Sequence, residues 1–164
     1  MALFARPRID PELKRQVGGR RVLAFGVGAD GPVGGLVDRL VFRQSGEWRE
    51  QSWHRIERGN WDEQTKTLGW VDVDGERWRV ELTETGRLPD LFNERVTASI
   101  ACVRSVALDR GRSAVITARR DLGDSSAPLV WRVAPGKGVR SEELDADPLV
   151  ALELERLRAE YDLP

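Results

Sequence analysis

Residues 68–82 read LGWVDVDGERWRVEL, two runs of alternating apolar and polar side chains around the pair Asp74-Gly75. A period of two is the signature of a strand with one face buried, and Asp-Gly is the pair best suited to a two-residue type I′ turn. The stretch is predicted to be a β-hairpin, and a two-residue turn sets its register: Val73 opposite Glu76, Val71 opposite Trp78, Trp70 opposite Arg79 and Gly69 opposite Val80. One face then carries Val71, Val73, Trp78, Val80 and Leu82. The other carries Leu68, Trp70, Asp72, Arg77, Arg79 and Glu81, with a charge pair Asp72/Arg77 and a cation–π pair Trp70/Arg79, and is expected to be wet.

Hairpin logic extends along most of the chain. Arg21–Val27 and Leu36–Gln44 have the apolar density of strands, with GADGPVGG between them read as a loop and Ser45-Gly46 as a turn. Ala98–Asp109, Ser113–Arg120 and Leu129–Val133 continue the pattern, the first two joined by Arg110-Gly111. Helix signals are few. Asp10-Pro11 opens a short helix that Gly18-Gly19 stops, Leu88–Thr97 suits another, and Asp147-Pro148 caps the C-terminal one. In that last helix Val150, Leu154, Leu157 and Tyr161 recur at spacings of four, three and four, so one stripe is expected to pack on a sheet.

These elements predict a mainly β (α+β) fold: a curved antiparallel sheet or partly open barrel of about seven strands, with a C-terminal amphipathic helix and one or two short helices. A chain of 164 residues fits one domain. Its expected parts are an N-terminal extension over 1–19, the sheet over 20–135 and the helix over 146–162.

The 26 basic and 27 acidic side chains leave a formal charge of −1, so no net field draws the chain to nucleic acid or to an anionic membrane. Cys102 is the only cysteine, which excludes an internal disulfide and a cysteine-cluster metal site. No run approaches the roughly 18 apolar residues of a membrane span, and the N-terminus lacks a signal-peptide core. A cytoplasmic location without membrane insertion is expected.

No motif assigns a catalytic residue, a cofactor or a metal. Gly26–Gly31 satisfies G-x-G-x-x-G after a predicted strand, but Pro32, Gly34 and Gly35 defeat the helix that a phosphate-binding loop needs. His54 is the only histidine, and no sequence motif around it marks a carboxylate or cysteine as the group that would orient it as a base or ligand. The acidic residues Asp121, Asp124, Glu142, Glu143, Asp145 and Asp147 lack calcium-loop spacing and read as solvated loops and a helix cap.

Five of the six tryptophans fall between Trp48 and Trp78. Trp61, Trp78 and Trp131 read as core. Trp70 reads as exposed, and Trp48 and Trp53 have opposite parity, so one of them is expected to leave the core. An aromatic patch flanked by Arg49, Arg55, Arg58, Arg77 and Arg79 is the composition of a binding hot spot.

The order of strands followed by a C-terminal helix resembles the pleckstrin-homology-like (PH-like) fold. Trp53, Ile56, Trp61 and Leu68 in WHRIERGNWDEQTKTL are similar to a W-x-x-I…W…L pattern of uncharacterised bacterial PH-like proteins, particularly actinobacterial ones, and FNERVTASI (Phe92–Ile100) resembles a stretch of the same group. The resemblance implies a fold and carries over no functional residue. The expected function is a non-enzymatic binding module that recognises a protein partner, or another copy of itself, through Trp53, Arg55, Trp70, Arg77 and Arg79. The alternative is a small-ligand-binding or enzymatic barrel with an internal pocket.

Overall fold

A computed structural model describes residues 7–162, and the chain divides into two compact units, residues 1–96 and 97–164. The first unit is a curled seven-stranded antiparallel sheet. Its strands are β1 (Ala24–Gly28), β2 (Gly31–Gly35), β3 (Arg39–Gln44), β4 (Glu47–Ser52), β5 (Ile56–Asp62), β6 (Thr67–Asp72) and β7 (Arg77–Glu84), in the order β4-β3-β2-β1-β7-β6-β5.

Two helices pack on opposite faces of this sheet. α1 (Pro11–Val17) starts where Asp10 accepts the Glu12 N–H at 2.8 Å, and it buries Leu13 and Val17 against Leu36 and Val41. α2 (Leu88–Ala98) buries Leu88, Leu91 and Phe92. Between them lies β2, whose sequence GPVGG reads as loop and is instead a strand paired to β1 and β3. Its glycines mark close approach of backbone to helix. A Cβ on Gly34 would stand 2.9 Å from Cδ2 of Leu13 in α1, and one on Gly35 would collide with Leu91 of α2. Gly26–Gly31 forms the β1–β2 hairpin, followed by strand and not by helix.

The two hairpin turns differ. At Ser45-Gly46 both residues have positive φ, 52° and 80°, and Gln44 pairs with Glu47, which makes a two-residue turn. The Asp74-Gly75 loop is one residue longer than expected. Trp70 pairs with Trp78, Gly69 with Arg79 and Leu68 with Val80, and the Asp72 N–H bonds the Glu76 carbonyl at 3.0 Å. The loop is therefore Val73-Asp74-Gly75, with Gly75 at φ 83° and its N–H bonded to the Asp72 carbonyl at 3.0 Å. Asp72 stabilises this geometry with both oxygens, accepting from the Asp74 and Glu76 N–H groups at one and from Trp78 Nε1 at the other.

A one-residue slip moves every side chain of one strand, here β6, to the other face. Leu68, Trp70, Trp78, Val80 and Leu82 now share the inner face, where Trp70 meets Phe42 edge-on at 5.4 Å, stacks on Trp78 at 6.3 Å and tilts against Phe92 at 5.8 Å. The expectation of a wet Trp70 beside Arg79 is thus overturned: Trp70 is 3% exposed. The parity argument for Trp48 and Trp53 fails for another reason. Trp53 does not belong to a strand but to a 3-10 turn, Trp53–Arg55, and is fully buried, donating Nε1–H to the Leu36 carbonyl at 3.0 Å. Trp48 is half-buried under Arg43, and Trp61 and Trp78, expected in the core, are half-buried too.

The second unit is a three-stranded antiparallel sheet, β8 (Ile100–Ala107), β9 (Ser113–Arg119) and β10 (Val130–Pro135), in the order β10-β9-β8. A short α3 (Ser141–Leu144) precedes α4 (Pro148–Tyr161), which Asp147 caps by accepting from the Leu149 and Val150 N–H groups. The expected stripe packs on this small sheet. Leu157 and Leu154 join Cys102, Val106, Ile116 and Ala118, while Val150 packs with Ala114 and Leu144. Tyr161 ends the stripe 40% exposed, edge-on to the half-buried Trp131.

Candidate functional site

The residues proposed from sequence separate into two groups. Trp53 and Trp70 belong to the inner core of the first unit, where Trp70 Nε1 donates to Gln51 Oε1 at 3.2 Å. Arg55 is half-buried and ion-paired to Asp74 at 2.8 Å. Only Arg77 and Arg79 lie together on an exposed face. The aromatic half of the expected patch is therefore packing, and the arginine half is surface.

That outer face has an ordered layout, because β5, β6 and β7 are in register. Arg58, Val71 and Arg77 form one cross-strand row; Asn60, Gly69 and Arg79 form the next; Asp62, Thr67 and Glu81 form the third. Side chains two apart on a strand point the same way, so the three rows share one surface. All of these residues but Glu81 line a groove of about 450 Å³, with Thr65 at one end. Its floor is low because Gly69 has no side chain: a Cβ there would stand 3.1 Å from Asn60 Oδ1. Val71 is half-buried and Thr67 buried, whereas Arg58, Asn60, Asp62, Arg77 and Arg79 are exposed.

Among the described residues, no carboxylate lies within ion-pairing distance of Arg58, Arg77 or Arg79. The nearby acids serve other donors. Asp74 holds Arg55, and Asp72 holds its turn. Asp62 accepts the Gln64 and Thr65 N–H groups at 2.9 and 3.1 Å. Those backbone bonds, Thr65 first, hold its carboxyl below the usual carboxylate range, with a smaller contribution from the charge of Arg79. The groove thus presents three exposed arginine side chains and one carboxylate whose pKa is lowered by its own turn.

Sequence reasoning named Arg58 only as a flank and missed Asn60, Gly69 and Thr67. The signal was the β5–β6 pairing, which a bulge between Ile56 and Arg58 conceals. Elsewhere, three of the acidic residues singled out in the second unit have local partners: Glu143 pairs with Arg112, Asp124 accepts from Ser126, and Asp147 caps α4. His54 is half-buried in the 3-10 turn.

Comparison with protein-family models, with curated proteins and with solved structures finds no match. Fold and site geometry therefore carry the functional reading. Among the described residues no helix is long and apolar enough to cross a membrane.

Proposed function

We propose that the chain is a non-enzymatic, cytoplasmic binding module that recognises a protein partner through the outer face of β5, β6 and β7. The observation that supports this reading is the groove itself: three exposed guanidinium groups without ion-pair partners around a glycine floor. Arginine is enriched at binding hot spots because its fork makes several directed bonds to one acceptor, and uncompensated charge is costly to bury unless a partner brings the opposite sign. The inner face, by contrast, is filled by the rings of Phe42, Trp53, Trp70 and Phe92. The outer groove is the better candidate for recognition.

Kinship with the PH-like proteins belongs to the same proposal. Trp53, Ile56 and Leu68, three positions of the W-x-x-I…W…L pattern, are fully buried in the first unit, as a pattern that specifies a fold requires. The reading is tested by immobilising wild type, Arg77→Ala/Arg79→Ala and Arg104→Ala, whose site lies in the second unit, in lysate of the source cells. A species retained by wild type and Arg104→Ala but lost from the double variant is the expected result. Identical retention by all three proteins overturns the reading.

A further inference from the structure

The rows of the groove say more than that a partner is acidic. Arg77 and Arg79 are two apart on one face of β7, so their Cα atoms are separated by about 6.8 Å, the repeat of alternate side chains in any extended chain. Arg58 stands across β6 from Arg77, two strand spacings or about 9.6 Å away, and Val71 and Gly69 lie between them as a low floor. Three charges spread in this way can each take a separate carboxylate. They match a chain that offers carboxylates at every second residue and lays its backbone over Gly69.

We propose, resting on the functional reading above, that the groove seats an extended segment of the partner protein with acidic side chains at alternate positions. Carboxylates at two such positions pair with Arg77 and Arg79, and the segment passes close enough to β6 for Arg58 to close on it from the other side. Gly69 is the positioning residue: the segment rests where a side chain would otherwise stand. Asp62, held ionised at the far end, repels a third carboxylate there and so limits how far the acidic run extends.

The probe is a pair of capped decapeptides, each with two glutamates among alanines, placed two residues apart in one and three residues apart in the other. Their charges are identical, but only the first places successive carboxylates on one side of an extended chain. Measured by fluorescence anisotropy at low salt, the first is expected to bind about threefold to fivefold more tightly, which corresponds to one additional exposed ion pair. Arg77→Ala and Arg58→Ala are each expected to weaken it by about threefold to fivefold. Gly69→Val is expected to abolish the preference between peptides while leaving every charge in place. Arg104→Ala, in the second unit, leaves both affinities unchanged.

Equal binding of the two peptides overturns the proposal, because charge alone then attracts them. Displacement of the better peptide by millimolar inorganic phosphate overturns it too, since the site then takes a lone oxyanion. If the peptides fail to discriminate while retention from lysate still depends on Arg77 and Arg79, this inference falls and the functional reading stands. If neither depends on those arginines, both fall.

Discussion

Replacing Trp70 by alanine separates the observed hairpin register from the one that a two-residue turn would produce. In the observed register the indole is 3% exposed, in contact with three aromatic rings, and its Nε1–H satisfies Gln51, itself only 8% exposed. Truncating a buried tryptophan to alanine costs about 3–5 kcal/mol from lost transfer energy and the cavity left behind. Leaving Gln51 Oε1 without a donor in a nearly dry site adds about 1–2 kcal/mol. Trp70→Ala is therefore expected to destabilise the first unit by about 5 kcal/mol, and Trp70→Phe, which retains one ring, by about 2 kcal/mol. Arg79→Ala, on the outer face, should change stability by no more than about 0.5 kcal/mol. Urea denaturation followed by far-ultraviolet circular dichroism reads all three. Where Trp70→Ala leaves too little folded protein to measure, Trp70→Phe carries the comparison. In a two-residue register Trp70 and Arg79 would be exposed neighbours. Equal costs below about 1 kcal/mol for Trp70→Phe and Arg79→Ala would refute the packing described here.

Three further predictions bear on other parts of the chain. Gly59→Ala puts a Cβ 2.5 Å from Cε1 of Phe92, a ring held between Trp53 and Trp70, so it should cost about 1–3 kcal/mol in urea denaturation, whereas Gly69→Ala meets only the movable Asn60 amide and should be near neutral. Glu50 accepts from Arg20 at 2.7 Å and from Arg39 at 2.8 Å, and the Arg20 bond first, then Arg39, lowers its pKa. A depressed carboxylate contributes stability above its unfolded-state pKa of 4.5 and loses it as pH falls through the folded value. Glu50→Gln should therefore reduce stability at pH 7 by no more than about 1 kcal/mol and have no effect in acid, below that window; a difference that grows on acidification would contradict the network. Asp147→Ala removes the acceptor for two N–H groups at the start of α4 and should cost about 1 kcal/mol, read as a lower melting temperature.

Helix ends were legible because capping is local chemistry. Asp10-Pro11 and Asp147-Pro148 place an oxygen acceptor and a preset φ next to each other in sequence, and both helices begin there. The strand β2 was not legible, since GPVGG looks like a loop until two helices are known to press on it from opposite sides. The outer groove was half legible: Arg77 and Arg79 follow from alternation on one strand, but Arg58 joins them only through the bulged pairing of β5 with β6.

The slip at Asp74-Gly75 is the most informative failure, because the longer loop also had its own local signal. Asp72-Val73-Asp74-Gly75 places aspartate first and glycine fourth, the preferred ends of a type I turn, and glycine then takes the left-handed position that closes a three-residue loop. Turn chemistry alone allowed both loops, so burial had to decide between them. The two-residue turn would bury Val71, Val73, Trp78, Val80 and Leu82 together and leave Leu68 and Trp70 in water. The three-residue loop exchanges Val71 for Leu68 and Trp70 on the inner face, while Val73, now in the loop, stays buried at 8% exposure. Burying an indole in place of an isopropyl group gains on the order of 1–2 kcal/mol, and stacking on Trp78 adds to it. The same exchange turns Gly69 and Val71 outward beside Arg79 and Arg77, so the register that completes the core is also the one that assembles the groove.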